Sequence, residues 1–226
     1  MLPDIPASII FLTWVHSTRQ RDCACLLIES LRSFGGPFNQ LPIWVFETNP
    51  EKASCASLAG EGVEVIRLET PEPVRSYNFG HKVYACAQAE GLAPQASSLI
   101  WLDAACLVIQ PPRLLDLGDS FDAALRPVHI RNVGLPADAP LDEFWRGVYQ
   151  AAGVADLSLS VESFIDPQHL RAYFNTAVFA VRPASGIFQR WLECFERLVI
   201  DEAYQRRACP DDVSKDWHSY PVASGA

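Results

Sequence analysis

Basic residues are in short supply: 18 Lys and Arg stand against 27 Asp and Glu in 226 residues, a formal net charge of -9 at pH 7. Neutralising nucleic-acid phosphates needs a clustered Lys/Arg surface, and no such cluster is written here, which argues against a general nucleic-acid binder. A small anionic ligand, needing only one or two local cations, stays within reach. Long apolar runs are missing as well. The longest near the start, Ile9 to Val15, is broken by Thr13, has no basic segment before it and is far too short to span a bilayer. It reads as a strand, and the protein as soluble and cytoplasmic. The familiar short catalytic motifs are absent too. No GxGxxG follows the first strand, and there is no P-loop, no GxSxG elbow and no HExxH. Dinucleotide oxidoreduction, P-loop hydrolysis, serine hydrolysis and zincin chemistry lose their weight accordingly.

What is present suits one medium domain. Apolar residues make up 49% of the chain and charged ones 20%, a balance that buries a substantial core and weighs against disorder. Seven cysteines is an odd number, and Cys23, Cys86 and Cys194 sit in apolar patterns, so they read as reduced, buried thiols and not as a disulfide framework. Cys23 and Cys25 are spaced as a metal or redox pair can be, but they lie in a helical pattern without a matching second pair, and core packing is the reading adopted.

The order of elements sets the fold class. Residues 8–15 read as a buried strand, followed by a helix with Cys23, Leu27, Leu31 and Phe34 on one stripe and a stop at Gly35-Gly36-Pro37. Residues 41–48 form the next strand, 51–59 a second helix and 63–68 a third strand. Strands alternating with helices at this spacing predict a Rossmann-like, mostly parallel sheet flanked by helices. A Pro-rich loop then leads to a helix from about Lys82 to Glu90, and 98–102 is a fourth strand whose unbroken apolarity suits cover on both faces. Further on, the patterns predict a strand within "FDAALRPVHI" and a loop over 132–140. They also predict a helix carrying Leu141, Phe144, Trp145 and Val148, a strand at 172–183, and a helix with Ile187, Trp191, Phe195 and Leu198 in register. From Tyr204 the text is polar and unpatterned, which predicts a weakly ordered tail.

One stretch, "LIWLDAACLVIQPP" at 99–112, drives an apolar strand straight into Asp103. Ligands of open α/β sheets sit beyond the carboxyl ends of the strands, where Asp103 lies; a strand-end cap is the other reading of the same residue. The layout, an apolar strand, Asp103, a further apolar segment and a proline, resembles the GT-A fold of nucleotide-sugar glycosyltransferases, in particular the glycogenin and galactinol synthase-like group. "YFNTAVFAVRP" looks like that family's Tyr-Phe-Asn-x-Gly strand, and Lys82 stands where a family lysine opens the preceding helix. The matches run in the right order over roughly residues 8 to 200. Ala105 stands where the family's Asp-x-Asp motif has its second carboxylate, Ala177 where a glycine is common, and the segment after the last helix lacks the family's acidic-Gln or His-Gln pattern.

The resemblance implies a single GT-A-like domain over 1–203, with a nucleotide-binding half at about 8–110, an acceptor half at about 111–203 and a polar tail at 204–226. It implies a hexosyltransferase that takes a nucleotide-diphospho-sugar, UDP-linked, and glycosylates an unknown acceptor. Other readings are a catalytically degenerate nucleotide- or sugar-binding module of the same fold, or an interaction protein that forms homo-oligomers. Asp103 would hold Mn²⁺ or Mg²⁺, weakly because it stands alone, or the ribose. Lys82 would meet the diphosphate, Asn175 the sugar or acceptor, and Thr13, His16 and Ser17 the base and ribose. Set against these roles, Lys82 also reads as a solvated surface lysine and His16 as a structural histidine. Trp44 and Trp101 read as core. His81, His129, His169 and His218 show no ligand spacing, His218 being the one late candidate for a metal.

Overall fold

The structure, a computed structural model, describes residues 9–208 except 76, 78, 132 and 133. Its elements in chain order are β1 (Ile9–Val15), α1 (Thr18–Phe34), β2 (Ile43–Glu47), β3 (Val63–Arg67), α2 (Glu72–Arg75), α3 (Gly80–Leu92), β4 (Ser98–Leu102) and β5 (Ala123–Pro127), followed by α4 (Glu143–Ala152), β6 (Ser160–Glu162), β7 (His169–Arg171), β8 (Phe174–Val181), α5 (Ile187–Ile200) and α6 (Glu202–Ala208). Six strands form one sheet in the order β3-β2-β1-β4-β8-β5, and β6 pairs with β7 alone. The pairings of β1 with β2 and β4, and of β2 with β3, are parallel, whereas β8 lies antiparallel to β4. The Rossmann-like, mostly parallel α/β architecture expected from the sequence is therefore present. Among the described residues no helix is long and apolar enough to cross a membrane.

The chain divides into two compact units: one takes the chain up to Glu69, Tyr84–Ala124 and Ala177–Phe188, the other Thr70–Val83, Leu125–Thr176 and the chain from Gln189 on. The first unit is built around the parallel strands. Every residue of β4 is buried, as its uninterrupted apolar sequence requires. Against the strands packs α1, whose buried face runs through Ala24, Leu27 and Leu31. That face is rotated from the expected stripe: Cys23 is half-buried, and Phe34 lies at the helix end with 56% of its surface exposed.

Residues 51–59 form no second helix. The segment instead turns at Asn49, whose carbonyl accepts from the Lys52 and Ala53 amides, and ends in a single tight turn at Ala56–Leu58. The cause is the end of β2. Glu47 is buried there, and its carboxylate accepts from the Cys55 amide at 2.5 Å, fixing the chain in a shape that a helix would not allow.

The second unit has its own core, in which Trp145 packs edge-on against Phe144 and Tyr173, with ring centroids 5.5 and 5.8 Å apart. Asp142 caps α4 by accepting from the Trp145 amide, and Gly153 ends the helix with φ 69°, the left-handed conformation that suits glycine. The β6–β7 hairpin had no signal in the sequence, because strands of three residues are too short to show periodicity. It is held by Arg171, itself buried, whose guanidinium donates to the carbonyls of Leu157 and Ala139.

The weakly ordered tail expected from Tyr204 onward does not start at Tyr204. Residues 202–208 are helical, and the remainder of that segment, with His218, lies outside the described residues. Asp201 starts α6 by accepting from the Tyr204 amide, and Tyr204 is buried with its hydroxyl donating to Phe144 O at 2.7 Å. Gly147 makes this docking possible, since a Cβ there would run into the Tyr204 ring.

Truncating Tyr204 to alanine should therefore lower the unfolding free energy by about 3 kcal/mol, read as a fall in the urea midpoint. Tyr204→Phe keeps the ring and should lose only about 1 kcal/mol. Equal midpoints for the two variants would show that ring burial is not what holds α6.

Candidate functional site

The parallel strands of the first unit bring four of the six candidates to one edge. In the register of β1 and β4, Leu12 is level with Trp101, so Thr13 to Ser17 and Asp103 all lie at or beyond the carboxyl ends of these neighbouring strands. This is the edge at which open α/β sheets receive ligands.

The four residues are not equivalent there. Thr13 is 1% exposed, and its hydroxyl is buried without a hydrogen-bond partner among the described residues. Ser17 caps α1: its hydroxyl accepts from the Gln20 amide at 3.3 Å, while the Gln20 side chain accepts from the His16 amide at 2.9 Å. This reciprocal arrangement closes off the first turn of the helix and occupies the serine. His16 is exposed, with its ring stacked on Trp14 at a centroid distance of 4.6 Å. It offers a flat face backed by an indole, a surface on which a planar base can lie.

Asp103 is half-buried and held from several directions. Its amide donates to Ala177 O at 2.9 Å, its carbonyl accepts from the Cys106 amide at 2.8 Å, and its Oδ1 accepts from Trp101 Nε1 at 2.7 Å. A buried indole N–H needs an acceptor, and meeting that need fixes the carboxylate's orientation. Trp101 is core, as the sequence suggested, at 1% exposure, while Trp44 is half-buried. In the turn that follows, Ala104 is buried and Ala105 is exposed, so a longer side chain at 105 would meet solvent and not the core.

Lys82 and Asn175 belong to the second unit. Lys82 is not a solvated surface lysine: it is 4% exposed, its Nζ donates to Thr176 O at 2.9 Å, and the ammonium lies 5.5 Å from the centroid of the Phe79 ring. Burying an ammonium requires such compensation. Its bond to the residue after Asn175 brings the two candidates together. Asn175 is half-buried, with its Nδ2 3.4 Å from His129 Nδ1.

Two residues here escaped the sequence reading. His129 lies 46 positions from Asn175, so no local spacing could announce the pair. Glu47 did carry a signal, because "IWVFE" ends an apolar strand in a charge just as "LIWLD" does. It sits level with Val15 on the same edge, buried and bonded to the Cys55 amide. Beside it the Cys55 thiol is pushed up to about 12, first by burial and then by the negative charge and hydrogen bond of Glu47. Among the described residues no group of three or more His, Cys, Asp and Glu could hold a metal ion.

A mostly parallel sheet with its polar groups gathered beyond the carboxyl ends, and an antiparallel strand beside the one that ends in Asp103, defines the GT-A class of nucleotide-diphospho-sugar transferase folds. More specifically, the chain belongs to the Rhodobacterales glycosyltransferase domain family, whose family model matches residues 11–213. Among solved structures it is similar to an active-site mutant of LgtC, with 16% identity over 93% of this chain and 70% of that chain and a TM-score of 0.51. The galactosyltransferase LgtC in complex with donor and acceptor sugar analogs is similar at 16% identity over 96% and 71% of the two chains, with a TM-score of 0.49. GlyE of Streptococcus pneumoniae TIGR4 is similar at 13% identity over 84% and 39%, with a TM-score of 0.45. At these identities the likeness concerns the fold. No curated protein matches the chain. The resemblance read from the motifs thus holds at the level of glycosyltransferases.

The raised Cys55 thiol gives a chemical test of this edge. A thiol near 12 is almost wholly protonated at pH 8 and is also out of solvent. Iodoacetamide at pH 8 should leave Cys55 unmodified in the native protein and modify it in urea, as read by peptide mass. Native labelling at Cys55 would contradict the burial that Glu47 enforces.

Proposed function

We propose that this chain transfers a hexosyl group from a nucleotide-diphospho-sugar, UDP-linked, to a hydroxyl of an acceptor. Membership of a glycosyltransferase family carries the reading. The placement of a carboxylate fixed by Trp101 at the end of β4 supports it.

In this reading His16, backed by Trp14, receives the base, and Thr13 and Ser17 shape the edge beside it. Lys82, whose ammonium is already desolvated, contributes positive charge toward the diphosphate. Asn175 hydrogen-bonds the sugar. The residues fit a divalent cation that arrives with the donor better than one caged by the protein, since Asp103 is a single carboxylate and Ala105 takes the place of a second. Asp103 would hold such an ion together with the phosphates, and an Mn²⁺ or Mg²⁺ held there would supply charge to offset that on the departing diphosphate. No residue is assigned as a general base. The buried thiols Cys55, Cys86 and Cys194 suit a reducing compartment, and the reading keeps the protein in the cytoplasm.

Titration calorimetry with UDP in the presence of Mn²⁺ tests the proposal. Binding should be seen, and Asp103→Asn should weaken it by about tenfold, the scale of one charged ligand contact. Ala105→Asp, at an exposed position, should strengthen the Mn²⁺ dependence of UDP binding and raise donor hydrolysis. Absence of any heat at millimolar UDP and Mn²⁺ would sink the reading.

A further inference from the structure

We infer that Thr48 is a positioning residue for the nucleotide base: its hydroxyl fixes the Trp14 indole, and the indole holds the His16 ring in the place where a base stacks. The inference rests on the reading above, in which His16 receives the base, and goes beyond it by assigning the residue, just past the end of β2, on which that platform depends.

The parallel register sets the pieces side by side. Trp14 is level with Phe46, so Thr48, two residues on, falls on the same face of the sheet. Thr48 is tied to β1 twice. Its amide donates to Val15 O at 3.3 Å, and its Oγ1 accepts from Trp14 Nε1 at 3.2 Å. An indole N–H only donates, so the direction of this bond follows from the chemistry of the two groups alone. Threonine is also stiff at χ1, which makes a hydroxyl on a main chain already bonded to β1 a fixed point for the indole.

The indole passes this order on. Trp14 and His16 are two residues apart, and their rings stack with centroids 4.6 Å apart and planes 25° from parallel. The main chain of His16 is held as well: its amide donates to the Gln20 side chain at 2.9 Å, and the Gln20 amide donates to Ser17 Oγ at 3.3 Å. His16 is exposed, and an exposed ring is ordinarily free to turn. Here ring and backbone are both constrained before any ligand arrives, so a base that stacks on the ring does not have to order it. The stack shares its face of the sheet with the Trp101 side chain, since Leu12, two residues before Trp14, is level with Trp101, whose indole bonds Asp103 Oδ1. Neighbouring strands thus use an indole in the same way, one to orient a carboxylate and the other to orient an imidazole two residues on.

Titration calorimetry of the full chain with UDP and Mn²⁺ tests the inference. Thr48→Val keeps the branched shape and removes the hydroxyl; it should weaken UDP binding by about fivefold, the lower end of what one stacked base contributes. Thr48→Ser restores the acceptor and should recover most of the loss. Because Thr48 acts through the indole, Thr48→Val should add no more than about twofold to the loss caused by Trp14→Leu. Unchanged binding in Thr48→Val, no recovery in Thr48→Ser, or full additivity with Trp14→Leu would overturn the inference. A second measurement does not need a ligand. Protons held over an indole face move upfield through its ring current. The proton resonances of the His16 ring, assigned by their absence in His16→Gln, should therefore stand upfield in the wild type and in Thr48→Ser and move back toward the unstacked position in Thr48→Val. An unshifted His16 ring in the wild type, or a shift that survives intact in Thr48→Val, would overturn the inference whatever the binding data. Failure of the wild-type chain to bind UDP would instead overturn the glycosyltransferase reading, so the two failures are told apart.

Discussion

The complete burial of β4 is the constraint from which the rest of the molecule follows. Ser98 to Leu102 are covered on both faces, and both edges are hydrogen-bonded, to β1 in parallel and to β8 in antiparallel. Such a strand can present no charge until it leaves the sheet. The first residue beyond it is Asp103, and the same burial that excludes charge inside the strand leaves the Trp101 indole N–H in need of an acceptor, which the Asp103 carboxylate supplies. Position and orientation of the Asp103 carboxylate are therefore both consequences of packing. Catalytic sheets of this class gather polar groups at their carboxyl edge for this reason: the interior tolerates none.

Most of the polar groups near that edge already have structural partners, and this limits what each can contribute. Ser17 is engaged as a helix cap, Glu47 holds the Cys55 segment, and Thr13 is buried. Asp103 differs in that a partner, the Trp101 indole, fixes the direction of its carboxylate. Groups whose rotamers are fixed by packing lose little freedom when a ligand arrives, and this preorganisation is what makes a few contacts sufficient.

Elements with strong periodicity were legible from the chain alone. β1 and β4 follow from apolar runs, and α4 and α5 from stripes that bury Trp145 and Val148, or Trp191, Phe195 and Leu198. Elements whose structure depends on distant partners were not. Residues 51–59 have an acceptable helical composition, but the Glu47 carboxylate bonds the Cys55 amide and outweighs it. The β6–β7 hairpin is too short for a pattern, and α6 depends on Tyr204 finding the space opposite Gly147. Among the candidate site residues, Asp103, Lys82 and Asn175 could be singled out in advance because a resemblance of ordered motifs pointed to them. His129 could not, since a partner 46 residues away leaves no local trace.

The amino-acid sequence by itself determined the α/β class, the strand that ends in Asp103 and the family resemblance, because hydrophobic periodicity and strand-end punctuation are local properties of a chain. Only the tertiary structure decided that Lys82 is buried on a carbonyl, that Ser17 is spent on a helix cap and that Asn175 faces His129. Each of these outcomes is a competition among hydrogen-bond partners, and the winning partner is chosen by which groups folding brings within about 3 Å of one another.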